Sequence, residues 1–176
     1  MDDINTIYIM DSSSFIHLRR INPIDIYKTP WEKLRNLIAE GRLITHSQVK
    51  DEITDGEDFL VEWVREQGND WVYGVTAYQN KILPKIHKKY PKFIKPENKH
   101  DADPFIVALA CEKKNTRPLQ MTFAKNEFIV VSNEYSAKNR NLQNKWEVVK
   151  IPDFCEVYKI QCIDLFECFR REKWEF

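Results

Sequence analysis

The chain has 176 residues, 43% of them hydrophobic and 12% aromatic, with 4 glycines, a composition that suits one packed domain spanning residues 1–176 rather than a string of linked modules. No apolar stretch of about 18 residues occurs, which argues against a membrane helix, and no basic segment followed by an apolar one opens the chain, so the expected location is cytoplasmic. The 27 basic and 27 acidic side chains cancel, but unevenly: residues 1–80 hold 8 basic and 14 acidic side chains, net −6, and residues 81–100 hold 7 lysines against 1 glutamate, net +6.

Ile7-Tyr8-Ile9-Met10 reads as a short buried strand closed by Asp11, and a helix is predicted from the serine cluster Ser12-Ser13-Ser14 through Ile16 and Leu18. Pro30-Trp31 starts a second helix in which Trp31, Leu34, Leu37 and Ile38 recur at helical spacing, and Gly41 stops it. Arg42 to Thr45 is a second strand. Ser47 then caps a short helix from Gln48 to Ile53, with Val49 and Ile53 facing the core and Glu52 at the edge of that face.

Residues 57–67 form an amphipathic helix through Phe59, Leu60, Trp63 and Val64, and a further helix from Ala77 to Tyr90 is broken or kinked by Pro84. Asp103 and Pro104 suit the N-cap and first turn of a helix that is apolar on every side from Phe105 to Ala110. Phe128 to Val131 reads as a buried parallel strand, with weaker strands at residues 146–149 and 160–163. Strands alternating with helices predict an α/β fold, a three-layer α/β/α sandwich around a mostly parallel sheet. Ligands of such sheets bind beyond the carboxyl ends of the strands, where Asp11 and Glu134 fall.

Cys111, Cys155, Cys162 and Cys168 form no CxxC pair and have no histidines at zinc-finger spacing, so they read as buried free thiols. The lysine-rich stretch 81–99 includes Lys85, Lys88, Lys89 and Lys92, interleaved with His87, Tyr90 and Phe93. It suits a phosphate backbone with stacked bases, or simply a solvated face. The aromatics Trp63, Trp71 and Trp174 serve either the core or a dimer interface.

Tyr8-Ile9-Met10-Asp11-Ser12-Ser13-Ser14-Phe15-Ile16 resembles the opening of a PIN domain, in which an apolar strand ends in Asp, small hydroxyl residues and an apolar helix. Asp103 to Ala110 is similar to that family's aspartate followed by an Ile- and Ala-rich helix, Val130-Val131-Ser132-Asn133-Glu134 to its strand followed by a hydroxyl residue and an acid, and Val49-Lys50-Asp51-Glu52 to its helical valine with glutamate three residues on. The ending, Ile151 to Cys155 with Ile163 to Phe166, is similar to a PIN-like bacterial toxin branch, the virulence-associated protein C ribonucleases. Glu134 stands where the family more often has Asp, and Asp101 is a second acid beside Asp103.

That resemblance implies a metal-dependent ribonuclease that leaves 5′-phosphate and 3′-hydroxyl ends. Asp11, Glu52, Asp103 and Glu134 would be its acidic set, with Asp101 a fifth candidate ligand. It also implies RNA as substrate, a cognate antitoxin protein as partner, and a tendency to homodimerise. Clustered carboxylates repel one another until a cation offsets them, and all-oxygen ligands suit Mg2+ or Mn2+. Ser13, Ser132 and Asn133 would be the supporting residues: Ser13 either hydrogen-bonds Asp11 or only starts the helix, and Asn133 would contact substrate.

Other readings fit less well. A haloacid dehalogenase-type phosphatase needs a second Asp two positions after the first, where Ser13 stands. No GxxxxGK[ST] or GxGxxG run exists to bind a nucleotide. The alternative in another class is a PIN-like RNA-binding or protein-interaction module without turnover.

Overall fold

Five parallel strands form the centre of the protein in a computed structural model, which describes residues 4–89, 102–116, 125–136 and 149–176. In chain order they are β1 (Ile4–Met10), β2 (Leu43–His46), β3 (Val72–Tyr73), β4 (Lys125–Val131) and β5 (Gln161–Ile163), and in space they run β3-β2-β1-β4-β5. β1 is the middle strand. It pairs with β4 along its whole length, from Ile4 opposite Lys125 to Met10 opposite Val131, and with β2 through Tyr8–Leu43 and Ile9–Ile44.

Eight helices are described: α1 (Ser12–Ile21), α2 (Lys28–Ala39), α3 (Ser47–Thr54), α4 (Phe59–Glu66), α5 (Ala77–Lys89), α6 (Asp103–Asn115), α7 (Ile151–Val157) and α8 (Leu165–Arg171). α1, α3 and α4 touch one another, while α6 lies against α5, α7 and β4. The architecture is the expected three-layer α/β/α sandwich. Burial explains the sequence pattern: Tyr8, Ile9 and Met10 on β1 and Ile129, Val130 and Val131 on β4 are at most 1% exposed, so both strand faces are covered and apolar residues run consecutively rather than alternating. α6, between the sheet and its neighbours, buries Pro104 and every residue from Ile106 to Cys111.

Gly41 ends α2 as expected, with φ +68°. Its N–H reaches the carbonyl of Ile38 and the next N–H, of Arg42, that of Leu37, a left-handed helix end that glycine reaches without Cβ strain. α5 continues through Pro84, and β5 begins one residue later than predicted. Of the weak strand predicted over residues 146–149, only Val149 is among the described residues, and it lies in no regular element.

Trp63 and Trp71 are each 2% exposed and pack on Phe15, with ring centroids 6.1 and 5.9 Å away. The core takes them, and neither reaches a surface where a second copy could meet it. Trp174 is half-buried beside Phe169. The chain's last helix is tied to the sheet by Glu172, which accepts from Tyr8 Oη at 2.7 Å and from both terminal nitrogens of Arg42 at 2.9 and 2.5 Å. Burial and this carboxylate push the Tyr8 hydroxyl pKa well above its ordinary value, while Glu172 also raises that of Arg42.

Candidate functional site

The strand order reverses direction at one place. From β1 the chain moves outward through β2 to β3, then returns to lay β4 on the other side of β1. The crevice at the carboxyl ends of β1 and β4 is therefore the topological switch point, the usual ligand position in an open α/β sheet. Asp11 follows β1 there, and Ser132, Asn133 and Glu134 follow β4.

Asp11 is 1% exposed. Its backbone is extended, and its side chain caps α1 by accepting the Ser13 N–H at 3.2 Å. The Ser13 hydroxyl donates to the same oxygen, Oδ2, at 2.6 Å; Ser132 Oγ donates to it at 3.3 Å, and Ser12 Oγ lies 3.4 Å from Oδ1. Ser13 Oγ in turn accepts the backbone N–H of Asn133 at 3.0 Å. Burial raises the carboxyl's pKa, the Ser13 hydroxyl lowers it, and the Glu134 charge raises it again, leaving it above the ordinary aspartate value. Ser13 and Ser132 thus meet at Asp11, Asn133 joins them through Ser13, and together they bind the start of α1 to the end of β4.

Glu134 is placed differently from a carboxylate open to a ligand. One oxygen pairs with Lys150 Nζ, and the other accepts the Ile151 N–H at 3.1 Å. It thereby satisfies an otherwise unmade donor at the start of α7. Its link to Asp11 is the charge repulsion acting on that carboxyl.

Asp103 and Glu52 stand on helices whose starts reach the same sheet edge, though both cap assignments need correcting. The N-cap of α3 is His46, not Ser47: the ring Nδ1 accepts the Gln48 N–H at 3.1 Å. The N-cap of α6 is Ala102, so Asp103 occupies the first helical position and Pro104 the second. In that first turn Asp103 is half-buried, and its charge suits the positive end of the helix. Two residues on, the Phe105 ring stacks on His46 with centroids 5.0 Å apart and planes 26° apart. His46 ends β2, so this contact sets the start of α6 beside the carboxyl edge of the sheet.

His46, unmarked by the sequence, also heads a buried polar chain. A nitrogen that accepts from Gln48 carries no proton, so Nε2 holds it and donates to Gln79 Oε1 at 3.1 Å. Gln79 Nε2 donates onward to Glu112 at 2.8 Å. Burial lowers the pKa of His46 and keeps the ring neutral, partly countered by the Gln79 hydrogen bond. The chain ties β2, α5 and α6 together beneath the crevice. Neither Gln79 nor Glu112 stands in a pattern that distinguishes it from a surface residue.

The family match begins at Tyr8, three residues before Asp11, and runs to the last residue. The chain belongs to the family described as a domain of unknown function, DUF4411, matched over residues 8–176. Neither curated proteins nor solved structures gave a match.

In this DUF4411 chain the described residues include no group of three or more His, Cys, Asp and Glu side chains that could hold a metal ion. Asp101 and Lys92 lie outside the described residues. Lys85, Lys88 and Lys89 are exposed on α5, spaced so that they share one helix face, while Ile86 is buried. Cys111, Cys155 and Cys168 are buried free thiols, as expected, and Cys162 is half-buried beside Cys155. No described helix is long and apolar enough to cross a membrane.

Proposed function

We propose that the DUF4411 chain is a metal-dependent ribonuclease acting at the β1–β4 switch point. One observation carries the reading: Asp11 is a buried carboxylate at the carboxyl end of the middle strand, held by Ser13 and Ser132. Burying an acid costs stability, and such costs concentrate where a charge has work to do. The oxygen-only donor set fits a hard divalent cation in kind. Asp11 and Asp103 would be its principal ligands, with Glu52 and Asp101 as further candidates.

Mg2+ or Mn2+ held there would supply positive charge to the reacting phosphate and a water of lowered pKa. The residues around it have separate duties. Ser13 and Ser132 fix the rotamer of Asp11, so its oxygens point one way before substrate arrives. The Glu134–Lys150 pair holds the end of β4 against α7, and the exposed lysines of α5 offer positive charge to the RNA backbone. The toxin of a bacterial toxin–antitoxin pair, acting in the cytoplasm and held by a cognate antitoxin, is the biological setting that the resemblance favours.

A second reading has its own observation. Glu134 is engaged by Lys150 and the Ile151 amide, which favours a binding module in which the acids are structural. One experiment separates the two: purified protein is incubated with structured RNAs and Mn2+ or Mg2+, with and without chelator, beside Asp11→Asn and Asp103→Asn. The nuclease reading expects cleavage that chelator and either substitution abolish. RNA binding without cleavage, unchanged by Asp11→Asn, supports the module instead.

A further inference from the structure

Next to Asp11 lies a cavity of about 400 Å³, lined among others by His17, Asn133, Tyr135, Cys162, Asp164 and Phe166. Its volume falls within the range of small-ligand sites. Tyr135 is 75% and Phe166 43% exposed, both high for large rings, and His17 meets Phe166 edge-on at 5.8 Å. Among the described residues that line it there is no lysine or arginine. Its carboxylates are occupied: Glu134 is paired with Lys150, and Asp164 caps α8 by accepting the Glu167 N–H at 2.7 Å. The described wall, aromatic and with both carboxylates already engaged, suits an uncharged planar group.

Asn133 adds direction. Its Oδ1 accepts the Leu165 N–H at 3.3 Å, and Ser14 Oγ stands 3.1 Å away. A backbone N–H can only donate, so the atom facing it is the amide oxygen, and the amide's orientation is fixed. Among the described residues nothing accepts from its Nδ2 group. The side chain thus offers the cavity's surroundings an oriented pair of donors, while its backbone N–H bonds Ser13 Oγ, the hydroxyl that holds Asp11.

We propose that this cavity receives one unstacked base of single-stranded RNA, with Tyr135 and Phe166 as its stacking surfaces and the Asn133 amide group as donor to a base carbonyl. The inference rests on the ribonuclease reading for the identity of the strand. Uracil, cytosine and guanine carry ring carbonyls and adenine does not, so the pocket favours the first three. Recognition of this kind, by aromatic stacking and base-edge hydrogen bonds, is typical of single-stranded RNA.

The test measures binding by fluorescence anisotropy, in chelator, using full-length Asp11→Asn protein and labelled oligouridylate or oligoadenylate of about eight nucleotides. Expected are tighter binding of oligouridylate, a loss on the order of tenfold from Tyr135→Ala or Phe166→Ala, and disappearance of the base preference with Asn133→Asp, which replaces the donor group by an acceptor. Because Tyr135 is so exposed, its alanine variant keeps the wild-type melting temperature, and the loss cannot come from unfolding. Affinity unchanged by both aromatic substitutions, or no RNA binding, overturns the proposal. Labelled uridine binding while the oligomers do not overturns its assignment to a strand. Chelator-sensitive cleavage with no effect of the aromatic substitutions removes the pocket and leaves the nuclease reading; base-dependent binding without cleavage does the reverse.

Discussion

The hydroxyl of Ser13 donates to Oδ2 of Asp11 over 2.6 Å, a short bond from an α1 side chain to the carboxylate that caps its own helix. Because Ser13 Oγ also accepts from the Asn133 N–H, the pair joins two chain segments 120 residues apart in sequence. Replacing Ser13 with alanine removes a bond to a charged group and leaves a part-buried N–H without its acceptor. The expected cost is about 1.5–3 kcal/mol, read as a lower urea midpoint at unchanged slope. Unchanged stability would mean that the web is incidental.

Asp11 itself should be a stability liability. Its folded pKa lies above the ordinary aspartate value of 3.8, chiefly through burial. The folded state therefore holds this proton more tightly than the unfolded chain, and stability falls as pH rises from about 3.8 through the raised folded value. Above that value the full penalty is present. Asp11→Asn keeps the N-cap and removes the charge, so in chelator at neutral pH it is expected to be more stable by about 0.5–2 kcal/mol. The gain should shrink as pH falls toward 3.8. A destabilised variant at neutral pH would show that the charged form is needed for folding.

These two residues also mark how far the sequence could be read. Asp11 and Ser13 were legible because strand, acid and hydroxyl residues are contiguous, and the pairing of β1 with β4 brings Ser132 and Asn133 to them. The partners of Glu134 were not legible, because Lys150 and Ile151 stand at the start of a helix 16 or more residues away. His46 gave no signal as a cap, since Ser47 beside it is the better intrinsic N-cap and the tertiary contact with Phe105 decides the matter. The two-residue β3 is too short to show a period of its own.

His46 predicts an acid-sensitive fold. Burial lowers its pKa below the ordinary 6.5, so the unfolded chain takes up a proton that the folded one refuses. Stability is complete above 6.5 and falls as pH drops from there toward the folded value. His46→Gln, neutral throughout, is expected to cost about 1–3 kcal/mol at pH 8 through lost hydrogen bonding and to flatten the pH dependence between pH 7 and 5. Parallel denaturation curves for both proteins check this; equal pH slopes would exclude His46 as the source.

Glu172 tests whether stability and site are separable. It ties Tyr8 and Arg42 together with 11% of its side chain exposed, against 25% for Arg42. Glu172→Gln removes the charge from a partly screened pair, so about 1.5–3 kcal/mol is expected rather than the larger cost of breaking a fully buried pair. On the ribonuclease reading, RNA cleavage below the melting transition should be unchanged. A loss of cleavage without a loss of folded protein would connect this cluster to the site.

The lysines of α5 make a prediction that salt can read. Lys85, Lys88 and Lys89 share one exposed helix face, and each phosphate contact on a single strand contributes about 0.7 to the slope of log affinity against log salt. Replacing all three with alanine should lower that slope by roughly 2 if each meets a phosphate, while leaving any preference among bases as it was. The reason is that a phosphate contact fixes position and carries no base information. Anisotropy titrations across a salt series, with oligouridylate and oligoadenylate in parallel, measure both quantities at once. A shallower slope with retained base preference places the backbone on α5. An unchanged slope makes this face a solvated one and moves the RNA path elsewhere on the molecule.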